Sequence, residues 1–160
     1  MDARQVSASD LMLQTKSLTS SFVTSRPTGT VTFLFTDIEG STRMWEEHRT
    51  AMRDALEQHD GIVRGTIESG GGYVFSTAGD AFSAAFSDPS AALETAVEVQ
   101  RSLVAKDWGP LGRLGVRMAL HTGVAHERDG DYFGPALNRV ARMLSAGHGE
   151  QILLSLSTEE

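Results

Sequence analysis

The chain has no cysteine in its 160 residues. That absence excludes disulfides, thiol nucleophiles and cysteine-ligated zinc, and it fits a cytoplasmic setting. Lysine is almost as scarce: of 14 basic residues only Lys16 and Lys106 are lysines, and the rest are arginines. Positive charge is also outweighed, with a net charge of −7 and the basic residues scattered along the chain. Such a pattern lacks the electrostatic footprint of a nucleic-acid or anionic-membrane binder. No apolar run is longer than a strand, so neither a spanning helix nor a signal-peptide core is expected.

What remains is a globular composition, 40% hydrophobic, with enough chain for one domain and a sizeable core. Residues 1–27 are rich in Ser and Thr, lack periodicity and end at Pro27. They read as a flexible N-terminal extension, which leaves 28–160 as the folded domain.

From Gly29 onward the pattern is regular. Residues 30–37 form an apolar strand, and Ser41 or Thr42 is placed to cap a helix reaching about His59, with Trp45, His48, Met52, Ala55 and Leu56 on one stripe. Gly61 is expected to end that helix and Ile62–Glu68 to run on as a strand. The triple glycine 70–72 signals a turn, and Tyr73–Phe86 reads as a hairpin with Ala78-Gly79-Asp80 at its tip. A second helix starts at Pro89, a strand covers Leu114–Val124, a third helix starts at Pro135, and Gln151–Ser157 forms a last strand. The order β-α-β-β-α-β, with one added helix and strand, predicts an α+β fold of ferredoxin-like type, with helices on one face of an antiparallel-rich sheet.

Two constellations carry chemistry. Asp37 and Asp80 each end an apolar strand beside a glycine. Either alone reads as an ordinary turn residue. Two carboxylates brought together would raise one another's pKa, and a divalent cation with oxygen preference would relieve them. The second is Asn138 and Arg142, four apart and so on one helical face, with Leu137, Val140, Ala141 and Leu144 on the apolar side. In isolation this is a solvated stripe, as Arg139 beside it is read to be; near a phosphoryl group, the guanidinium and amide would offset developing charge.

At this point the residues resemble a family. The segments Phe35-Thr-Asp37-Ile-Glu-Gly-Ser-Thr42, Ala78-Gly79-Asp80, Leu120-His-Thr-Gly123 and Tyr132-Phe-Gly134 to Arg142 are similar, in order and spacing, to the bacterial type of class III nucleotidyl cyclase catalytic domain. The resemblance spans about Gly29 to Ser157. It implies that Asp37 and Asp80 hold two Mg²⁺ or Mn²⁺ ions with the Ile38 carbonyl, that Gly40, Ser41 and Thr42 cradle a triphosphate, that Asn138 orients the ribose, and that Arg142 stabilises the transition state. It further implies that the two sets serve one site from opposite subunits of a head-to-tail homodimer, and that ATP is converted to 3′,5′-cyclic AMP and pyrophosphate.

Two departures stand out. ATP-using members of the family read adenine with a Lys–Asp pair; Asp131 matches the acid, but Ser76 stands where the Lys belongs. Serine donates from a much shorter arm, so base recognition is expected to be weakened and turnover slow. The family also continues with a C-terminal hairpin that the 160 residues do not include. The rival expectation is a catalytically degenerate, cyclase-like nucleotide-binding or dimerisation module. A polymerase-type cyclase joining two GTP molecules is disfavoured, because no Gly-Gly-Asp-Glu-Phe stretch is present. His121 is read as a satisfied core or near-site histidine, and Trp108 as either a dimer contact or a lid on the core.

Overall fold

The computed structural model describes residues 26–160; residues 1–25, which make up most of the expected extension, lie outside the described residues. The first strand, β1 (Thr30–Ile38), sits at the centre of a five-stranded sheet, which is why its apolar residues are buried on both faces. The other strands are β2 (Tyr73–Ala78), β3 (Ala81–Phe86), β4 (Val116–Val124) and β7 (Ile152–Leu154), in the order β2-β3-β1-β4-β7. β1 pairs antiparallel with both β3 and β4, and only β7 runs parallel to its neighbour. The first four strands thus have the expected ferredoxin-like arrangement.

One expected element is replaced. Ile62–Glu68 is not a strand: it is the second half of α2 (Arg49–Ser69), a helix of 21 residues. Met52, Ala55, His59, Val63 and Ile67 are its buried residues, spaced by three and four along one helical face. Gly61 and Gly65 fall on its exposed side, so they break nothing and cost only propensity, about 1 kcal/mol each. The β-branched Val63 and Ile67 are held helical by burial, which is worth more per side chain than their propensity deficit. The helix before it is short, α1 (Ser41–Glu47), and the chain kinks at His48 before α2. Its cap residue is Gly40, in a left-handed conformation with φ 72, and neither Ser41 nor Thr42 caps it through a side chain.

α3 (Pro89–Ala105) is capped by Asp88, whose carboxylate accepts the Ser90 N–H at 3.0 Å, with Pro89 in the first turn. It packs with α2 on one face of the sheet over Leu34, Ile38, Phe82, Ala84, Phe86 and Leu120. Trp108 belongs to this cluster, its indole N–H donating to the Leu103 carbonyl at 2.9 Å, so it is a lid on the core. The helices do not share one face, however. α4 (Pro135–Ala146) lies on the other, where Val140, Leu137 and Met143 meet Val31, Phe33, Ala85 and Ala119. Its amphipathic pattern needs an apolar surface, and the first face is already filled.

The polar stretch Arg128-Asp-Gly-Asp131 turns the chain between two short strands, β5 (His126–Arg128) and β6 (Asp131–Phe133), which pair as a hairpin. Asp129 and Gly130 supply the two positive φ values that its tight turn demands. Tyr132 in this hairpin donates its hydroxyl to the Pro27 carbonyl at 2.6 Å. The chain ends in α5 (Leu156–Glu159) immediately after β7, where a longer strand was expected.

Candidate functional site

The alternation of β1 decides what the site can be. Leu34 and Ile38 face the α2–α3 side, whereas Val31, Phe33 and Phe35 face the α4 side. By the same period of two, Asp37 follows Phe35 onto the α4 side. Asp80 reaches the same place from the β2–β3 tip, and its Oδ1 accepts the Ile38 N–H at 3.4 Å. The structure therefore brings Asp37, Ile38 and Asp80 together, with Gly40, Ser41 and Thr42 directly after them at the start of α1.

A residue that the sequence reading missed completes this end. Arg117 lies opposite Asp37 in the β1–β4 register. Its Nε donates to Asp37 Oδ1 at 2.7 Å and one terminal nitrogen to Oδ2, a bidentate grip across 80 residues of sequence. This bond holds the guanidinium above its usual pKa range. The available signal was an arginine inside the apolar run Val116-Arg-Met-Ala-Leu, since a charge there needs a partner.

Glu39 was missed as well. It accepts the Gly149 N–H at 2.7 Å and lies 3.4 Å from His148 Nδ1, which ties the loop after α4 to the segment that carries Asp37. The Gly149 N–H first, then the His148 bond, lower its carboxyl below the usual value.

The groups fit a hard cation, since Asp37 and Asp80 offer oxygen donors and a guanidinium already stands in as their positive charge. Among the described residues no three His, Asp or Glu side chains converge on one point. A magnesium-like ion here would take one or two carboxylates and complete its shell with a backbone carbonyl, water or substrate oxygens.

The base-reading candidates, Ser76 and Asp131, each adjoin a member of one aromatic pair. A β-bulge between Val74 and Ser76 makes Phe75 the extra residue, and Ser76 next to it is exposed. The Phe75 ring meets Tyr132 edge-on with centroids 4.8 Å apart, so Ser76 and Asp131 are each one residue from a touching aromatic pair. One Asp131 oxygen accepts the Tyr132 N–H at 2.8 Å.

Asn138 and Arg142 are not brought to the acids. Both are exposed on α4, and among the described residues no hydrogen bond or ion pair joins either to Asp37, Asp80, Ser76 or Asp131. Arg139 was read as a surface residue; its charge reaches His121, which is buried and donates or accepts at Ser155 Oγ, 2.8 Å away. Burial first, and Arg139 second, lower the pKa of His121 below the usual histidine value, as befits a core residue.

Comparison with known proteins gives a consistent picture. The family model described as "Adenylate and Guanylate cyclase catalytic domain" matches residues 23–160. An adenylate cyclase of Schizosaccharomyces pombe is 36% identical over 156 residues, covering 82% of this chain and 9% of the relative. An uncharacterized protein of Mycobacterium tuberculosis is 39% identical over 134 residues, covering 82% of this chain and 45% of the relative. The chain thus spans about a tenth of the fungal protein and under half of the mycobacterial one. Among solved structures, an adenylate cyclase of Trypanosoma brucei in its monomeric state superposes with a TM-score of 0.77 at 30% identity, covering 84% of this chain and 75% of that one.

Proposed function

This chain belongs to the adenylate and guanylate cyclase catalytic domain family, and from that premise we propose that it converts ATP to 3′,5′-cyclic AMP and pyrophosphate at sites shared by two head-to-tail copies. The observation that carries the reading is the division of labour within one chain. Asp37 and Asp80 converge at the end of β1, while Asn138 and Arg142 stand exposed on α4 without a bond to that end. A second copy, turned head to tail, supplies the missing half to each site.

In the reaction the ribose 3′-oxygen attacks the α-phosphorus, the bond to the bridging β-phosphate oxygen breaks, and the hydroxyl proton passes to solvent. Divalent ions, Mg²⁺ or Mn²⁺, when bound, acidify the hydroxyl and offset charge on the leaving pyrophosphate. Asp37 and Asp80 would hold them, together with the Ile38 carbonyl. Gly40, Ser41 and Thr42 lie against the phosphates, where a glycine with positive φ lets the backbone approach closely. Asn138 orients the ribose by hydrogen bonding, and Arg142 lends its guanidinium to charge that grows only in the transition state. Asp131 keeps one oxygen for the adenine amino group and would repel a guanine carbonyl, which favours ATP over GTP.

The second reading, a nucleotide-binding or dimerisation module without turnover, is favoured by Ser76. Its exposed hydroxyl takes the place of a lysine that would donate to the base. Product assays with ATP or GTP and excess Mn²⁺, on the wild type and Ser76→Lys, separate the two. Cyclic AMP from the wild type, raised in Ser76→Lys, is the expected result. Metal-dependent ATP binding with no product from either protein would establish the module instead.

A further inference from the structure

Arg117 stands where a cation belongs. Its fork takes both oxygens of Asp37, and both side chains are largely withdrawn from water, at 25% and 21% exposure. This is not the loose, solvent-screened type of pair that contributes little. A divalent ion bound directly to Asp37 needs the same oxygens and would lie within a few ångströms of the guanidinium charge. Ion and guanidinium therefore compete for those oxygens and repel one another.

The surrounding charges sharpen the conflict. Asp37 and Asp80 contribute two negative charges and Arg117 one positive, and no third acidic or histidine ligand converges there among the described residues. The other carboxylate that acts on the guanidinium is Glu39. It is already engaged by the Gly149 N–H and His148. Among the described residues, a guanidinium displaced from Asp37 by an ion held on Asp37 and Asp80 thus meets only Glu39, which is already bonded. A bare metal ion would have to displace it against that loss, whereas a metal arriving on a polyphosphate brings compensating negative charge.

We propose that Arg117 is a positioning residue that holds the metal-ligating carboxylate Asp37 in place of a cation, so that free divalent ions bind poorly and the metal is admitted only together with nucleotide. The inference rests on the metal-site reading of Asp37 and Asp80 above. Its content is new to that reading: the order of binding, and the residue that enforces it.

The test is Mn²⁺ binding without nucleotide, followed by electron paramagnetic resonance of the free ion, for wild type, Arg117→Gln, Arg117→Lys and Arg113→Gln. Arg113 pairs with Glu150 at 2.8 Å on the exposed surface, so its loss changes net charge equally without touching Asp37. Arg117→Gln is expected to tighten Mn²⁺ by about tenfold or more, the scale of one unit charge removed at contact distance. Arg117→Lys, which keeps the charge but loses the fork, falls between; Arg113→Gln matches the wild type. Equal binding in wild type and Arg117→Gln overturns the proposal while leaving the metal site standing. So does equal tightening in both glutamine variants, which would mark a general field effect. Failure of wild type and Arg117→Gln to bind Mn²⁺ even with a non-hydrolysable ATP analogue overturns the metal site, and the proposal with it. Should Arg117→Gln not fold, the wild type is followed by the ¹⁵N signal of Arg117 Nε during Mg²⁺ titration with and without that analogue. A saturable shift on metal–nucleotide binding supports displacement, and a signal unmoved at saturation overturns it.

Discussion

The two faces of the sheet differ in what they leave unsatisfied. Under α2 and α3 the face is closed: Leu34, Met52, Ile67, Phe86 and Leu120 are fully or almost fully buried, and Trp108 covers the edge. Under α4 it is only half covered. Phe35, Tyr73 and Phe75 are partly exposed, and Asn138 and Arg142 face solvent. Asp37 emerges on this second side. The closed face supplies stability, and the open face carries the polar groups that the proposed function assigns to ligand and second copy. The prediction is a separation of phenotypes: substitutions on the open face change chemistry, and substitutions on the closed face change melting.

The largest effect should come from the open face. Asp37→Ala and Arg142→Ala are each expected to lower kcat by at least about 100-fold. Mixed in equal amounts, the two inactive proteins should recover about a quarter of wild-type activity, because half of randomly formed dimers are mixed and each contains one intact site. No recovery on mixing would place Asp37 and Arg142 in one subunit's site and break the comparison.

Next is the closed face. A methyl on Gly72 would lie 2.5 Å from Phe86 Cζ and 2.7 Å from Ile67 Cγ2. Gly72→Ala should therefore cost about 1–3 kcal/mol, read as a fall in Tm. kcat per folded molecule should stay at the wild-type value. A change in kcat without a change in Tm would contradict the division.

Tyr132 tests the border, since it packs under α4 but serves structure. Tyr132→Phe deletes the bond to the Pro27 carbonyl and should cost about 1 kcal/mol near neutral pH. Burial, and then the Glu127 charge, push the Tyr132 hydroxyl up to about 12 from an ordinary 10.0. A raised folded pKa means that the neutral hydroxyl stabilises fully below pH 10 and loses that contribution as pH climbs towards 12. The Tm gap between wild type and Tyr132→Phe should hold up to about pH 10 and close above it; a gap that widens there would reverse the sign.

The smallest effect sharpens the picture of α2. Gly61→Ala and Gly65→Ala meet nothing within 4 Å. Each should stabilise by about 0.5–1 kcal/mol, measured by chemical denaturation, with activity unchanged. Destabilisation by both would argue against a continuous helix over residues 49–69.

Much of this was legible locally. The run Val31 to Ile38, the glycine turn at Gly40, the hairpin around Gly79 and the Pro89 and Pro135 helix starts follow from periodicity and turn chemistry, which act over a few residues. The errors have one origin. Ile62–Glu68 reads as a strand by its alternation, and its state was settled by the apolar surface waiting for Val63 and Ile67. Likewise the β5–β6 hairpin is too short to stand on periodicity, and it persists because Tyr132 packs among Phe33 and Phe75. Of the candidate site, Asp37 and Asp80 were readable as strand-end carboxylates, but nothing local indicates that they meet.

By itself the sequence determined which side of β1 each residue takes, because a period of two needs no partner, and so it placed Asp37 beside Phe35 and Phe33. It also determined that Asn138 and Arg142 share a helical face, by a spacing of four. Tertiary structure alone decided that Arg117 grips Asp37 across 80 residues, that Asp80 reaches the Ile38 N–H, and that Glu39 holds Gly149. Those contacts depend on strand register and loop closure, and these are set by the burial of the whole sheet between its helices.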